Sequence, residues 1–211
     1  QVWLGTRGYG LLKINPNKPL FNHQLEGISV NQMVIHPPDL LYVSHGRINW
    51  KSWGHGLDTT PLRTPFLGRN PNCFIITRNA TFYGRFYDPV KLETDLLSWN
   101  PHTGDRMRYV FHAEFDETQP MLEDGKGRIW MAGFEGLITR LDPASGQIDY
   151  FKYRPGHSET SKSSSTVLYE DRQGSLWVGS QEGFARTENP GSANPEFKWY
   201  SNNPEDRNSL N

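Results

Sequence analysis

The chain has 211 residues, with 22 Lys and Arg against 23 Asp and Glu, for a formal net charge of -1. That balance leaves no basic footprint for nucleic acid or for an anionic membrane surface. Hydrophobic residues make up 35% and aromatics 13%, with 20 Gly and 15 Pro, a composition of short strands and turns with enough ring surface for a core, which excludes both long helices and disorder.

In chain order, the first expected strand is Val2-Trp3-Leu4-Gly5-Thr6, followed by Gly10-Leu11. The chain opens on Gln1 and is expected to be a processed or excised segment. Leu41-Tyr42-Val43-Ser44 and Thr81-Phe82-Tyr83-Gly84 read as weaker copies of that strand, with Tyr42 and Phe82 in the position of Trp3. Asn100-Pro101-His102-Thr103-Gly104 is a turn, and residues 109–111 are the strand after it. Residues 120–137, PMLEDGKGRIWMAGFEGL, align without a gap on residues 167–184, VLYEDRQGSLWVGSQEGF. The alignment places Glu123-Asp124 on Glu170-Asp171, Gly127 on Gly174 and Trp130 on Trp177. Asp142-Pro143-Ala144-Ser145-Gly146 repeats the earlier turn, and aromatic outer strands are expected at 148–153 and 197–200. Residues 156–165 and 201–211 are polar loops at equivalent places.

The ring positions fall at 3, 42, 82, 130 and 177, so the unit is about forty to fifty residues long, the size of a four-stranded propeller blade. In the unit at 161–211, residues 167–170 are a short apolar run that gives the inner strand. Asp with Gly three residues later gives a tight hairpin turn, because Asp accepts turn N–H groups and Gly tolerates positive φ. The Trp strand follows. The expected fold is an all-β propeller of four-stranded antiparallel blades, about five of them, the first incomplete, at approximately 1–30, 31–70, 71–115, 116–160 and 161–211.

The run Tyr169-Glu170-Asp171-Arg172-Gln173-Gly174-Ser175-Leu176-Trp177-Val178-Gly179-Ser180, with Gly183 behind it, resembles the two-component regulator propeller repeat, and so does the closing Asn208-Ser209-Leu210-Asn211. The resemblance implies a part of a larger, seven-bladed propeller. It implies the periplasmic sensor region of a hybrid two-component histidine kinase, from a bacterium that digests polysaccharides. The implied role is non-catalytic: an oligosaccharide ligand changes how two ectodomains pair, with no cofactor, no nucleic acid and no membrane contact by this segment. The stretch 140–148 also resembles the repeats of streptogramin-inactivating lyases. Such enzymes need a central His and a divalent metal, and no His of this chain recurs at a repeat-equivalent position. A protein-interaction scaffold is the third reading.

No catalytic constellation stands out. Neighbouring residues of a strand point to opposite faces, so Glu123-Asp124 and Glu170-Asp171 are poorly placed as acid and base, and Asp as a turn cap accounts for both copies. The seven His form no metal-ligand spacing, and Gly8-Tyr9-Gly10 and Gly125-Lys126-Gly127 are turns, not phosphate loops. Cys73 lies in an apolar run and is expected to be buried and inert; it has no partner for a disulfide. No apolar run approaches the roughly 18 residues of a membrane-spanning helix. The stretch Arg47-Ile48-Asn49-Trp50-Lys51-Ser52-Trp53-Gly54-His55-Gly56-Leu57 departs from the repeat. Its Trp50, Trp53 and His55, with Arg85 and Tyr87 of the following unit, are the expected ligand-binding residues, since flat rings rimmed by polar groups suit a sugar.

Overall fold

The structure is a computed structural model. It describes residues 2–6, 10–14, 22–24, 30–36, 39–44, 47–52, 71, 73–88, 93–100, 102–111, 120–133, 136–154, 165–203, 205, 206 and 209; for residues 2–52 and for 87, 88 and 93 the description covers the backbone alone. The chain divides into two compact units, 1–72 and 73–211. All described secondary structure is β-strand with connecting turns.

Among the described residues, the first unit holds two three-stranded antiparallel sheets. One is β1 (Val2–Thr6), β2 (Gly10–Ile14) and β3 (Asn22–Gln24), and the other is β4 (Val30–His36), β5 (Asp39–Ser44) and β6 (Arg47–Ser52), each in sequential order. The first sheet starts with the Trp3 strand, and Trp3 lies opposite Lys13.

The second unit holds three four-stranded antiparallel sheets, again in sequential order. The third sheet is β7 (Cys73–Ile76), β8 (Phe82–Asp88), β9 (Glu93–Trp99) and β10 (Arg106–Phe111). The fourth is β11 (Met121–Glu123), β12 (Ile129–Ala132), β13 (Leu137–Leu141) and β14 (Ile148–Lys152). The fifth is β15 (Ser165–Glu170), β16 (Leu176–Ser180), β17 (Gly183–Thr187) and β18 (Lys198–Ser201).

Strand alternation divides the core in two. In β12 every residue is buried. Ile129 and Met131 face the third sheet and join Cys73, Tyr83, Leu96, Tyr109 and Phe111. Trp130 and Ala132, on the other face, join Leu168, Leu176, Val178 and Ala185 of the fifth sheet. Period-two side-chain geometry thus lets the fourth sheet serve two cores at once, which is why β12 reads as a continuous apolar run. Cys73 is buried in the first of these cores, 5% exposed.

The turns are built as the repeat implies. Gly127 and Gly174 both have φ of 81°, and each donates its N–H to the carbonyl of the Asp three residues earlier, Asp124 or Asp171. In the Asn100 and Asp142 turns, Gly104 and Gly146, at φ of 78° and 75°, donate instead to the carbonyl four residues earlier. One sequence assignment changes. In the third sheet the hairpin is closed by Ala80, φ 61°, bonded back to Thr77. Thr77 therefore stands in the Asp position. Counting from it, the ring position is Tyr83, not Phe82. Strand register agrees: Ile75 lies opposite Tyr83 as Leu122 lies opposite Trp130 and Tyr169 opposite Trp177. Gly84 mimics the Gly that follows Trp177 by two, and so shifts the sequence alignment by one.

Three carboxyls of these turns and outer strands are held below the ordinary carboxylate range. The Trp177 indole N–H lowers Asp171, and the Ala144 N–H, followed by the Ser145 hydroxyl, lowers Asp142. Burial pushes Asp149 up but is outweighed by hydrogen bonds from Arg140 and Gln147 and by the Arg140 charge. A folded value below the unfolded one, about 4, adds stability that is complete above pH 4 and lost as pH falls through the folded value. The urea midpoint is expected to hold between pH 7 and 5 and to drop below pH 4, and Asp149→Asn should lessen that drop.

Candidate functional site

The two Glu-Asp pairs, the most conspicuous carboxylates of the sequence, turn out to be joints. Asp124, 1% exposed, accepts the N–H groups of Lys126 (2.9 Å) and Arg128 (3.0 Å) with Oδ1. Its Oδ2 accepts Arg128 Nε (2.6 Å) and Trp130 Nε1 (2.8 Å). Asp171 does the same for Gln173 (3.0 Å), Ser175 (2.9 Å) and Trp177 Nε1 (2.8 Å). The Glu partner reaches the other way, into the hairpin of the preceding sheet. Glu123 Oε2 accepts the Arg78 N–H at 2.8 Å, and Glu170 Oε2 accepts the Gly125 N–H at 2.6 Å. Both donors sit one residue past the Asp position of their own sheet. Adjacent residues on opposite faces thus give one cap and one staple, and neither carboxylate is left to do acid–base work.

The junction of the fourth and fifth sheets is plugged. Trp130 lies opposite Arg140 in register, and the guanidinium sits 5.7 Å from the Trp130 ring centroid and 4.9 Å from that of Phe151. Arg140 Nη2 bonds Asp149 (2.6 Å), and Nη1 donates to the carbonyls of Pro190 (2.8 Å) and Ser192 (2.7 Å) in the loop between β17 and β18. At the junction of the third and fourth sheets the ring is smaller and the Arg-Asp ion pair is gone. Tyr83 stands for Trp130, Ser98 for Arg140, Met107 for Asp149 and Tyr109 for Phe151, by strand register. The result is a cleft of about 520 Å³ whose wall includes those four residues. Asn79, Asn100 and Asp105 line it on the third sheet, and Lys126, Asp142 and Pro143 close it from the fourth.

Within the cleft, Tyr83 is 5% and Tyr109 7% exposed, whereas Met107 is 57% exposed. The Tyr109 hydroxyl pairs with Ser98. The Tyr83 hydroxyl has no hydrogen-bond partner among the described residues. Burial first, then the nearby Tyr109 and Glu123, holds its ionisation well above the usual tyrosine value, so it stays a protonated donor. The turn polar groups are already committed: Asn100 Oδ1 accepts the N–H of His102 (2.9 Å), Asp142 Oδ1 that of Ala144 (2.9 Å), and Asp105 Oδ2 pairs with Thr103 Oγ1 (2.5 Å). A second hollow, about 500 Å³, lies on the fifth sheet around Arg186, Lys198 and Tyr200. It occupies the face that the fourth sheet uses for packing, and Tyr169 (57% exposed) and Val167 (52%) belong to the same sheet, so its chemistry is that of a sheet-packing surface.

Of the five residues expected from sequence, Arg85 alone has a described side chain. Trp50 lies in β6 opposite Leu41, and Tyr87 in β8 opposite Thr94, both known by backbone alone. Trp53 and His55 lie outside the described residues. Arg85 is 2% exposed, inside the third sheet between Cys73 and Leu96. Sequence reading missed Tyr83, Ser98, Met107 and Tyr109. The available signal was the loss of the Trp-to-basic cross-strand pair, present as Trp3–Lys13, Trp130–Arg140 and Trp177–Arg186.

Comparison with known proteins agrees with the sheet geometry. Residues 159–182 match the family model described as the two component regulator propeller. No curated protein matches the chain. Among solved structures, the extracellular domain of the one component system BT4673 from B. thetaiotaomicron superposes with a TM-score of 0.69 at 18% identity, over 99% of this chain and 27% of its own. The extracellular domain of the hybrid two component system BT3049 from the same organism gives 0.65 at 15%, over 94% and 27%. A catalytically inactive virginiamycin B lyase from Staphylococcus aureus, solved with quinupristin, gives 0.59 at 14%, over 84% and 57%. At these identities the likeness is one of fold: the sheets are blades of a β-propeller. The chain spans about a quarter of the length of the two extracellular domains.

Proposed function

We propose that the chain is a non-catalytic, ligand-binding propeller segment in the extracytoplasmic, periplasmic part of a two-component signalling receptor, and that its input is an oligosaccharide. The observation that carries this is the repeat itself, matched at 159–182 to the regulator propeller, together with the consumption of its Glu-Asp pairs in caps and staples. The extracellular domains above support the location and the sensing role, while a fold alone leaves function open. In the whole receptor, ligand binding would change how two ectodomains pair.

The lyase-like neighbour makes turnover the sharpest test. Quinupristin incubated with the chain and Mg²⁺ is expected to remain intact by mass spectrometry. Cleavage that depends on the chain and the metal would overturn the non-catalytic reading.

A further inference from the structure

We infer that the cleft between the third and fourth sheets is a binding site for a neutral, hydroxyl-rich ligand of mono- to disaccharide size. The inference rests on the sensor reading and gives its input a location. Three observations on the cleft carry it.

The first is that the cleft exists through substitution at the repeat's own plug. The fourth-to-fifth junction is filled by Trp130, Arg140, Asp149 and Phe151, and the equivalent Tyr83, Ser98, Met107 and Tyr109 leave about 520 Å³ open. Clefts of roughly 300–1,000 Å³ are of the size that takes small molecules.

The second is the Tyr83 hydroxyl. The residue is 95% buried on a structured strand, lines the cleft, and has no hydrogen-bond partner for its O–H among the described residues. The hydroxyl opens onto the cleft, so a ligand oxygen can bond it in place of solvent without any cost to the fold.

The third is the chemistry of the wall. Among the described lining residues Asp105 and Asp142 outnumber the single cation, Lys126, which disfavours an anionic ligand. Both carboxylates are tied into turns, which leaves hydroxyl, amide and ammonium groups beside the exposed Met107 and Pro143. Alternating hydrogen-bonding and apolar patches of this kind match a sugar ring, whose equatorial hydroxyls surround C–H faces.

The test titrates the chain with neutral disaccharides (maltose, cellobiose, lactose and xylobiose) at millimolar concentration, following the methionine methyl resonances by NMR. At least one sugar is expected to shift the Met107 methyl and to leave those of Met121 and Met131 unmoved. Tyr83→Phe, which removes only the free hydroxyl, should weaken that sugar by about five- to tenfold, the worth of one hydrogen bond, at an unchanged melting temperature. The triple variant Tyr83→Trp, Ser98→Arg, Met107→Asp rebuilds the plug of the next junction and should abolish binding by calorimetry. A sugar that binds the native chain and the Tyr83→Phe variant equally would overturn the cleft assignment and leave the sensor reading standing. If no sugar binds the native chain, the cleft assignment and the saccharide input fall together. Should the triple variant misfold, Tyr83→Phe alone decides.

Discussion

Trp130→Ala is expected to lower the free energy of unfolding by about 3–5 kcal/mol, the range for removing a large aromatic side chain from a packed core. Trp130 is fully buried and packs with Leu168, Leu176 and Val178 across the sheet junction. Its loss acts three times over. The cavity opens at the junction of two blades. Asp124 Oδ2 loses the indole N–H that it holds at 2.8 Å. Arg140, whose guanidinium lies 5.7 Å from the indole, loses part of the surface that aims it at Pro190 and Ser192. The control is the same residue one repeat later. Trp177 makes the same bond to Asp171 but is only partly buried, so Trp177→Ala should cost about 1–2 kcal/mol, in proportion to the smaller apolar area it removes from water. Equilibrium urea unfolding of both variants measures the ratio. Equal losses would mean that the ring position stabilises its own hairpin and not the junction between blades.

That contrast bears on how much of this molecule was readable from residues. The hairpin code was legible because it is local: an Asp that caps, a Gly three residues later at positive φ, and a Trp six past the Asp are held together by bonds inside one loop. The outer turns at Asn100 and Asp142 were legible for the same reason. The role of Glu123 and Glu170 was not, because a staple to Arg78 and Gly125 spans from one sheet to the next and leaves no local mark beyond the Glu itself.

The third blade shows where local reading fails. Thr77 does the capping there, with its hydroxyl oxygen accepting the Thr81 N–H at 3.1 Å, and Ala80 takes the left-handed position that Gly fills elsewhere. Without Asp and Gly to set the register, Gly84 captured the alignment and moved the ring from Tyr83 to Phe82. The candidate cleft was hidden by the same slip. It consists of what is missing relative to the next junction, and an absence can be read only once the register is right. Trp50 and Trp53 stand out in the sequence as paired rings in a Gly-rich run, whereas the cleft presents the tip of a buried tyrosine, which no such pattern marks.

Asp124→Ala is expected to cost about 3 kcal/mol, more than a simple cap is worth. A turn or helix cap removed to Ala loses about 0.5–2 kcal/mol. Asp124 is 1% exposed and serves four donors at once: two turn N–H groups, the Arg128 Nε at 2.6 Å and the Trp130 Nε1 at 2.8 Å. Deleting the carboxylate strands the indole N–H in a core with no water to take its place, and an orphaned buried donor adds about 1–3 kcal/mol. The double variant Asp124→Ala, Trp130→Phe separates the two parts. Phe keeps most of the ring volume and removes the stranded donor, so if the orphan dominates, the double variant should be no less stable than Asp124→Ala alone, although Trp130→Phe is itself destabilising in the native background. Chemical denaturation of the four proteins of this cycle gives the coupling directly. Additive losses would show that Asp124 acts on its turn alone, and that the tie between hairpin and interior, on which each blade's Trp depends for its position, contributes nothing to stability.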